Sequence, residues 1–339
     1  MKQNNPQPVI VRPPADEVDD RYRAQGNRPP GKSVKQQRLH GVRRNIAHRP
    51  LWDGMLKSVV VSLPIRLIAV DIDGTLLNPQ FQISPTDLAA LQRAKAQGVE
   101  VILVTGRRHT FAMPIARQLG FDLQLISSNG AVTRSMQDET FHRDMLPAAV
   151  CRKLCTAMTE FRGNTVITFD QENKGAIVLE HMNELNASIQ KWLEKNSEFI
   201  EFVIPIEDSL TKDPVQAMFC GPIERMHRAL ETLSASGLRN ETTVLRTEYL
   251  ARDLSLIDVL NKDCSKGHAL ERWAKFRGIS REQVMAIGDN HNDVEMLAFA
   301  GVAFIMGNAV EELRSNGWRV TLPNDQNGVA AAVEQALNF

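Results

Sequence analysis

The sequence lacks a long apolar run and a cysteine-rich framework. No stretch of about 18 apolar residues is present, which excludes a transmembrane helix of ordinary length. The four cysteines, Cys151, Cys155, Cys220 and Cys264, have no zinc-type spacing and are too few for a disulfide scaffold in 339 residues. We therefore expect buried, reduced thiols. Because no apolar signal segment lies near the start, we also expect a cytoplasmic protein.

An excess of charge is missing as well, since 40 basic residues balance 40 acidic ones. The balance hides an uneven distribution, because residues 1–57 carry about twelve basic and five acidic side chains and precede an acidic body. This tail is rich in Pro, Gln, Asn and Arg, so we predict a disordered basic extension. We do not expect it to contact nucleic acid or an anionic surface. An alternative is that translation starts at Met55.

From Ile65 onward, short apolar runs alternate with amphipathic segments, which is typical of βαβ units and a parallel sheet. We predict an α/β core formed by residues 65–142 and 255–339, to which residues 254–260 return as a strand. Residues 143–254 have a different, α+β pattern. We interpret them as a second domain inserted between strands of the first.

Polar side chains follow apolar runs at four places in the predicted core. In chain order they are Asp71 and Asp73, then Thr105, then Lys266, then Asp289, Asn292 and Asp293. Ligands of an open parallel sheet bind beyond the carboxyl ends of its strands, so we expect these groups to gather at one edge. They form a candidate active site.

The residue types in this cluster suit phosphoryl transfer. Several carboxylates in one crevice repel one another, and a hard cation with oxygen ligands relieves this, so Mg²⁺ is predicted. Lys266, with a hydroxyl and an amide nearby, suits a phosphate dianion. Asp71 is the candidate nucleophile, and Asp73 is positioned to protonate the leaving oxygen and to activate water.

Four ordered motifs resemble those of the haloacid dehalogenase superfamily, and their intervals are similar to those of its Cof-type phosphatases. They are Asp71-Ile72-Asp73-Gly74-Thr75-Leu76, Val104-Thr105-Gly106-Arg107, Ser265-Lys266-Gly267 and Gly288-Asp289-Asn290-His291-Asn292-Asp293. Three further segments are also similar to that subfamily: Ser128-Asn129-Gly130-Ala131, Met306-Gly307-Asn308-Ala309 and Asn324-Asp325-Gln326-Asn327-Gly328-Val329-Ala330. The resemblance covers roughly residues 65–337 and excludes the basic tail.

The resemblance implies a Rossmann-like core with an inserted C2-type cap that selects the substrate. It implies a role for each matching residue: Asp71 as nucleophile and metal ligand, Asp73 as general acid/base and metal ligand, Asp289 as metal ligand, Thr105, Lys266 and Asn292 as phosphate-binding residues, and Asp293 as a supporting residue beside them. We also expect Gly106 to bind phosphate. For Arg107 two interpretations stay open, a supporting contact to the phosphate or the cap and an ordinary surface charge. Asp258 stands where relatives often have an acid, and we expect it to pair with a cap or substrate group.

The predicted activity is Mg²⁺-dependent hydrolysis of a small phosphate monoester through an aspartyl-phosphate intermediate. The second acid, Asp73, favours hydrolysis of a phosphate monoester within the superfamily. Two alternatives stay open, a sugar phosphomutase and a non-catalytic binding protein with a basic tail. The expected partner is a small phosphorylated metabolite. The sequence does not identify that metabolite, and it does not indicate the oligomeric state.

Overall fold

The computed structural model describes residues 64–337, so the predicted disordered tail, residues 1–57, lies outside the described residues. The strands in this range are β1 (Leu67–Asp71), β2 (Glu100–Val104), β3 (Gln124–Ser127), β4 (Val132–Ser135), β5 (Thr140–Arg143), β6 (Thr165–Thr168), β7 (Ile177–Leu179), β8 (Ile200–Phe202), β9 (Gln216–Gly221), β10 (Thr242–Tyr249), β11 (Leu254–Asn261), β12 (Val284–Gly288), β13 (Val302–Ile305) and β14 (Arg319–Val320). The α-helices are α1 (Pro85–Ala96), α2 (His109–Gln118), α3 (Ala148–Ala157), α4 (Ala187–Lys195), α5 (Ile223–Ala235), α6 (Lys266–Phe276), α7 (Val294–Phe299), α8 (Glu311–Arg314) and α9 (Gly328–Leu337).

The first sheet has the strand order β14-β13-β12-β1-β2-β3-β4-β5. The six strands from β14 to β3 run parallel, and the β4–β5 hairpin adds two antiparallel strands at one edge. The chain leaves β1 toward β2 on one side and later returns to β12 on the other. The carboxyl ends of these central strands therefore border a topological switch point, where such sheets bind ligands.

Local sequence explains how the first sheet is assembled. All five residues of β1 are buried, because helices cover both faces of the sheet. Ser84 caps α1 by accepting a hydrogen bond from the Asp87 amide, and Pro85 occupies the first turn, where its missing N–H costs nothing. These signals set the point at which the chain turns from the sheet edge into the covering helix.

The second sheet has the order β10-β11-β9-β6-β7-β8 and is antiparallel except for the β7–β8 pair. Helices α3 and α5 pack on it around a core of their own. We call residues 144–261, which contain this sheet, the second-sheet unit. The α+β pattern predicted for most of this stretch is what the structure contains.

One predicted strand lies in the wrong sheet. Residues 254–260, assigned from sequence to the core, form most of β11, which pairs with β10 and β9 in the second sheet. The prediction was wrong because a buried apolar strand looks the same in either sheet. A tight connection decides the pairing: Asp253, with φ of 42°, closes the turn that joins β10 to β11 as an antiparallel hairpin.

Two of the expectations drawn from composition concern membrane-spanning helices and the cysteines. No helix within residues 64–337 is long and apolar enough to cross a membrane. Cys151, Cys155, Cys220 and Cys264 are all free and buried, which confirms the predicted burial of the thiols.

Candidate active site

Two carboxylates follow one another at the carboxyl end of β1. Asp71 is the last residue of the strand and is only 3% exposed. Asp73 lies just beyond the strand, and its side chain is 37% exposed. The chain therefore presents one carboxylate inside the crevice and the next at its mouth.

Lys266 is the first residue of α6, and its side chain is 1% exposed. Its Nζ lies 2.6 Å from Oδ1 of Asp71 and 2.6 Å from Oδ1 of Asp293. Burial opposes the lysine charge, but the nearby charges of Asp293 and Asp71 prevail and raise the pKa of Lys266. A protonated lysine is thus held between the two carboxylates by charge-assisted hydrogen bonds.

A third carboxylate, Asp289, follows β12. Its Oδ1 accepts a hydrogen bond of 3.1 Å from Oγ1 of Thr75. Oδ2 of Asp293 accepts two backbone N–H bonds of 3.0 Å from the loop after β12. These bonds, with those of Lys266, use both oxygens of Asp293 but only one oxygen each of Asp71 and Asp289.

Oxygen atoms of Asp71, Asp289 and Asp293 all lie within 4.8 Å of one another. Burial, followed by the charge of Asp293, raises the pKa of Asp71 to about 7. Burial and the charge of Asp71 likewise raise the pKa of Asp289 well above its ordinary value. An all-oxygen donor set with this much repulsion fits a hard divalent cation such as Mg²⁺. The oxygens still available on Asp71 and Asp289 are the ones that would hold it.

The second motif lies beside the first because β2 pairs in parallel with β1, with Val104 opposite Asp71. Thr105 is buried, and its Oγ1 accepts a 3.1 Å bond from the Arg107 amide. The Arg107 guanidinium donates two hydrogen bonds to the Asp73 carboxylate, from Nε to Oδ2 at 2.7 Å and from Nη2 to Oδ1 at 2.5 Å. Arg107 thereby fixes the orientation of the Asp73 carboxylate.

Asn292 is connected to the site through an amide that sequence reasoning left without a role. Its Nδ2 lies 3.0 Å from Oδ1 of Asn129, and Nδ2 of Asn129 lies 3.1 Å from Oδ2 of Asp258. At Gly106 a Cβ would lie 3.0 Å from Oδ1 of Asn129, so the second motif packs closely on this amide. The Ser128-Asn129-Gly130 motif after β3 was the available signal.

Asn308 and Asn324 lie in two segments that resemble the subfamily, and the sequence assigned no role to either residue. Nδ2 of Asn308 donates to the carbonyl of Gly74 at 2.9 Å, and Oδ1 of Asn308 accepts from the Asn324 amide at 2.9 Å. Asn324 in turn donates to the carbonyl of Leu77 at 2.7 Å. The two asparagines therefore fix the turn that follows β1. The available signal was the similarity of residues 306–309 and 324–330 to that subfamily.

The second-sheet unit contributes Tyr249, the last residue of β10, to the neighbourhood of the carboxylates. Burial, followed by the charges of Asp73, Asp289 and Asp71, raises the pKa of its phenol. The residue as a whole is 37% exposed. The end of β10 thus faces the mouth of the crevice.

Gly74→Ala is expected to lower catalytic efficiency by about 100-fold or more, because displacing a site group by about 1 Å has that effect. Gly74 has φ of 83°, and a Cβ here would lie 2.2 Å from Oδ2 of Asp289. Steady-state kinetics with an aryl phosphate and a Mg²⁺ titration measure the effect. Gly98→Ala is the matched control, since Gly98 has φ of 84° but open space around its Cβ position. Equal losses in the two variants would contradict the close-contact argument.

All nine side chains or backbone positions predicted for the site border one crevice at the carboxyl ends of β1, β2 and β12. They are Asp71, Asp73, Thr105, Gly106, Arg107, Lys266, Asp289, Asn292 and Asp293. Their catalytic and binding roles stay predictions. The structure adds Thr75, Asn129, Asn308 and Tyr249 to the surroundings.

Comparison with known proteins gives a consistent result. A family model described as haloacid dehalogenase-like hydrolase matches residues 68–333. The phosphatase YwpJ of Bacillus subtilis is 28% identical over 295 residues, spanning 80% of this chain and 100% of the relative. The pyridoxal phosphate phosphatase YbhA of Escherichia coli is 29% identical over 279 residues, spanning 80% and 98%.

A solved structure agrees with these sequence matches. The crystal structure of a haloacid dehalogenase-like hydrolase from Bacteroides thetaiotaomicron has a TM-score of 0.66 and 28% identity, and covers 80% of this chain and 99% of that one. The Rossmann-like α/β core expected from the sequence is therefore confirmed. On these grounds the chain belongs to the haloacid dehalogenase-like hydrolases and is an enzyme of their Cof-type phosphatase group.

Proposed function

We propose that this enzyme hydrolyses a small phosphate monoester with Mg²⁺ by way of an aspartyl-phosphate at Asp71. The observation that carries the proposal is the buried cluster in which Lys266 lies 2.6 Å from both Asp71 and Asp293. Asp289 completes the group of carboxylates that fits the cation. When bound at these residues, Mg²⁺ would neutralise carboxylate and phosphate charge and polarise the phosphoryl oxygens as a Lewis acid.

In the first step, an oxygen of Asp71 forms a bond to phosphorus while the bond from phosphorus to the leaving oxygen breaks. Asp73, two residues further at the mouth of the crevice, gives its proton to that oxygen. Arg107 bonds to both oxygens of Asp73 in the present arrangement. We infer that at least one of these bonds opens when substrate arrives, and that the freed oxygen of Asp73 takes up a proton from solvent or from the phosphate monoester before Asp73 passes it to the leaving oxygen.

In the second step, water attacks the phosphoaspartate and the bond from phosphorus to Asp71 breaks. Asp73 takes a proton from this water and so returns to its initial state. Lys266, Thr105 and Asn292 would bind the phosphoryl oxygens through donated hydrogen bonds. Lys266 offers three N–H donors and uses two of them on carboxylates, which leaves one for the phosphoryl group.

We also propose that the second-sheet unit, residues 144–261, is the cap that selects the substrate. Tyr249 at the end of β10 faces the carboxylates, and Asp258 of β11 bonds to Asn129 of the core. A cover in this place excludes water from the reaction and strengthens the electrostatic interactions beneath it. The boundary at 261 replaces the one expected at 254, because β11 belongs to the second sheet.

The proposal is tested by measuring phosphate release from a panel of phosphorylated metabolites with Mg²⁺. The panel contains sugar phosphates, nucleotides, flavin mononucleotide and pyridoxal phosphate, the last because one matching relative is named for it. We expect stoichiometric release of inorganic phosphate from at least one member. Isomerised sugar phosphate without net release would support the phosphomutase alternative, and no turnover of any member would oppose the proposal.

Mg²⁺ is expected to raise the melting temperature more at pH 8 than at pH 6. The pKa of Asp71 in the folded, metal-free protein, about 7, lies above its ordinary value of 3.8, so the folded state loses stability as the pH rises between these values. A cation binds the deprotonated carboxylate and offsets this loss, and a tenfold change in apparent affinity is worth about 1.4 kcal/mol. Thermal unfolding with Mg²⁺ or with chelator measures the difference.

Asp289→Asn should reduce this Mg²⁺ effect, because it removes the charge of a proposed ligand. Asp87→Asn is the control: Asp87 is a fully buried carboxylate that accepts a 2.7 Å bond from the Ala330 amide in the first-sheet core, away from the site. The control should keep the full response to Mg²⁺. An equal rise in melting temperature at both pH values would contradict the role of Asp71 in binding the cation.

A further inference from the structure

A series of three side-chain hydrogen bonds, two of them buried, joins the second sheet to the candidate phosphate site. Nε2 of Gln216 on β9 donates to Oδ1 of Asp258 on β11 at 3.0 Å. Oδ2 of Asp258 accepts from Nδ2 of Asn129 at 3.1 Å, and Oδ1 of Asn129 accepts from Nδ2 of Asn292 at 3.0 Å. Four side chains thus link the centre of the second sheet to the loop after β12.

The Asp258 carboxylate sets the order of donors and acceptors along this series of hydrogen bonds. An ionised carboxylate only accepts hydrogen bonds, whereas an amide has a donating end and an accepting end. Asp258 therefore turns the NH₂ end of Asn129 toward the second sheet, which points the carbonyl end of Asn129 at Asn292. Asn292 must then present its own NH₂ group on that side. Its second N–H stays available for an oxygen of a phosphoryl group.

The backbone of Asn129 is held from the core as well. Its N–H donates to the carbonyl of Thr105 at 3.0 Å, and its φ of 54° places it in the left-handed region. Gly106 packs against its carbonyl end, where a Cβ would lie only 3.0 Å away. With the backbone fixed in this way, the remaining freedom is which end of the amide faces which neighbour. Asp258 determines this orientation, because it accepts from the NH₂ end of the Asn129 amide.

We propose that Asp258 is a positioning residue that sets the orientation of the Asn292 amide through Asn129, and so couples the second-sheet unit to phosphate binding. The inference rests on the proposed function in one respect, the role of Asn292 at the phosphoryl group. Asp258 acts by its accepting oxygens, not by its charge. Removing the acceptor disorganises the site, whereas replacing it by a neutral acceptor of the same shape preserves it.

The test measures the affinity of orthovanadate in the presence of Mg²⁺ by calorimetry, together with kcat and KM for the best substrate of the panel. Asp258→Leu and Asn292→Ala are each expected to weaken vanadate binding by roughly ten- to hundredfold, the range found when outer partners of ligating groups are removed. The double variant is expected to bind no more than about twofold more weakly than Asn292→Ala alone, because both changes act on one amide. Additive losses in the double variant would overturn the proposal.

Asp258→Asn separates orientation from charge. Oε1 of Gln216 is buried and has no hydrogen-bond partner among the described residues, so a rotated Gln216 amide can accept from the new side chain. The new carbonyl oxygen can then still accept from Asn129, and we expect vanadate affinity within about threefold of the parent, a small part of the outer-partner effect. A loss as large as that of Asp258→Leu would assign the effect to charge and overturn the proposal.

Two further measurements keep the result interpretable. Asn164→Ala removes a fully buried amide that bonds to two carbonyls within the second-sheet unit, and it should leave vanadate affinity unchanged. If Asp258→Leu does not fold, Asp258→Ser also withdraws the accepting oxygens from Asn129 and takes its place in the cycle. A parent protein that binds vanadate without turnover would defeat the proposed function and still allow the cycle to be measured.

Discussion

Asp71→Asn is expected to lower kcat for phosphate release by about 10⁴-fold or more, the scale seen when the nucleophile of a covalent mechanism is removed. The amide has nearly the same shape, but it cannot attack phosphorus and it carries no charge for a cation. Asp71 is the last residue of a fully buried strand, and its Oδ1 lies 2.6 Å from Lys266. The other carboxylate at this end of β1, Asp73, is bound at both oxygens by Arg107 and is more exposed. Steady-state kinetics with an aryl phosphate and Mg²⁺ measure the loss.

Asp87→Asn serves again as the control, since Asp87 is an equally buried carboxylate of the same core. It bonds to the Ser84 hydroxyl and the Ala330 amide, so its replacement should lower stability without changing kcat. Normal turnover by Asp71→Asn would show that another group attacks phosphorus and would remove the proposed mechanism. A comparable loss of kcat in both variants would point to damage to the fold.

Lys266→Met is expected to have the second largest effect, on activity and on stability together. The side chain is 1% exposed and lies between Asp71 and Asp293, so its loss leaves buried carboxylates uncompensated. Breaking a buried ion pair in this way costs about 3–5 kcal/mol of stability. Loss of a donor to the transferring phosphoryl group should lower kcat by about 10²- to 10³-fold. Chemical denaturation and kinetics measure the two effects.

Mg²⁺ provides a further signature for this variant. A cation at Asp71 and Asp289 replaces part of the missing positive charge, so it should stabilise Lys266→Met more than it stabilises the parent. Lys153→Met is the control, because Lys153 forms an exposed ion pair with Glu241 at 2.9 Å, and such pairs contribute about 0–1 kcal/mol. If the two variants lost the same stability, the buried cluster would not have the electrostatic role assigned to Lys266.

The sequence predicted the first-sheet part of the site well because each motif is local and directly follows a buried strand. Asp71, Thr105 and Asp289 each come after an apolar run, and a parallel sheet has to bring such positions to one edge. Strand and helix bounds followed from the same kind of local signal. Ser84 and Pro85, for example, mark the beginning of α1 in the sequence and in the structure.

The contacts that the sequence did not predict are between residues far apart in the chain. The bond from Asn129 to Asp258 spans 129 positions, and the one from Asn129 to Asn292 spans 163. No periodic pattern or local spacing in the sequence predicts either of these hydrogen bonds. The placement of β11 failed for a related reason, since burial of an apolar strand does not tell which sheet it joins. Pairing is a property of two segments, and a single segment carries little information about it.

The position of β11 also determines how this enzyme can be recombined with its relatives. A chimera that takes residues 143–254 from another phosphatase would separate β11 from both of its partners, since β11 lies between β10 and β9. The exchangeable module instead ends after Asn261, four residues before Ser265 and the start of α6. Its two connections to the core touch, because Nδ2 of Asn261 lies 2.7 Å from Oδ1 of Asp144. A graft that carries both of these residues keeps the connections matched and exchanges the proposed specificity unit as a whole.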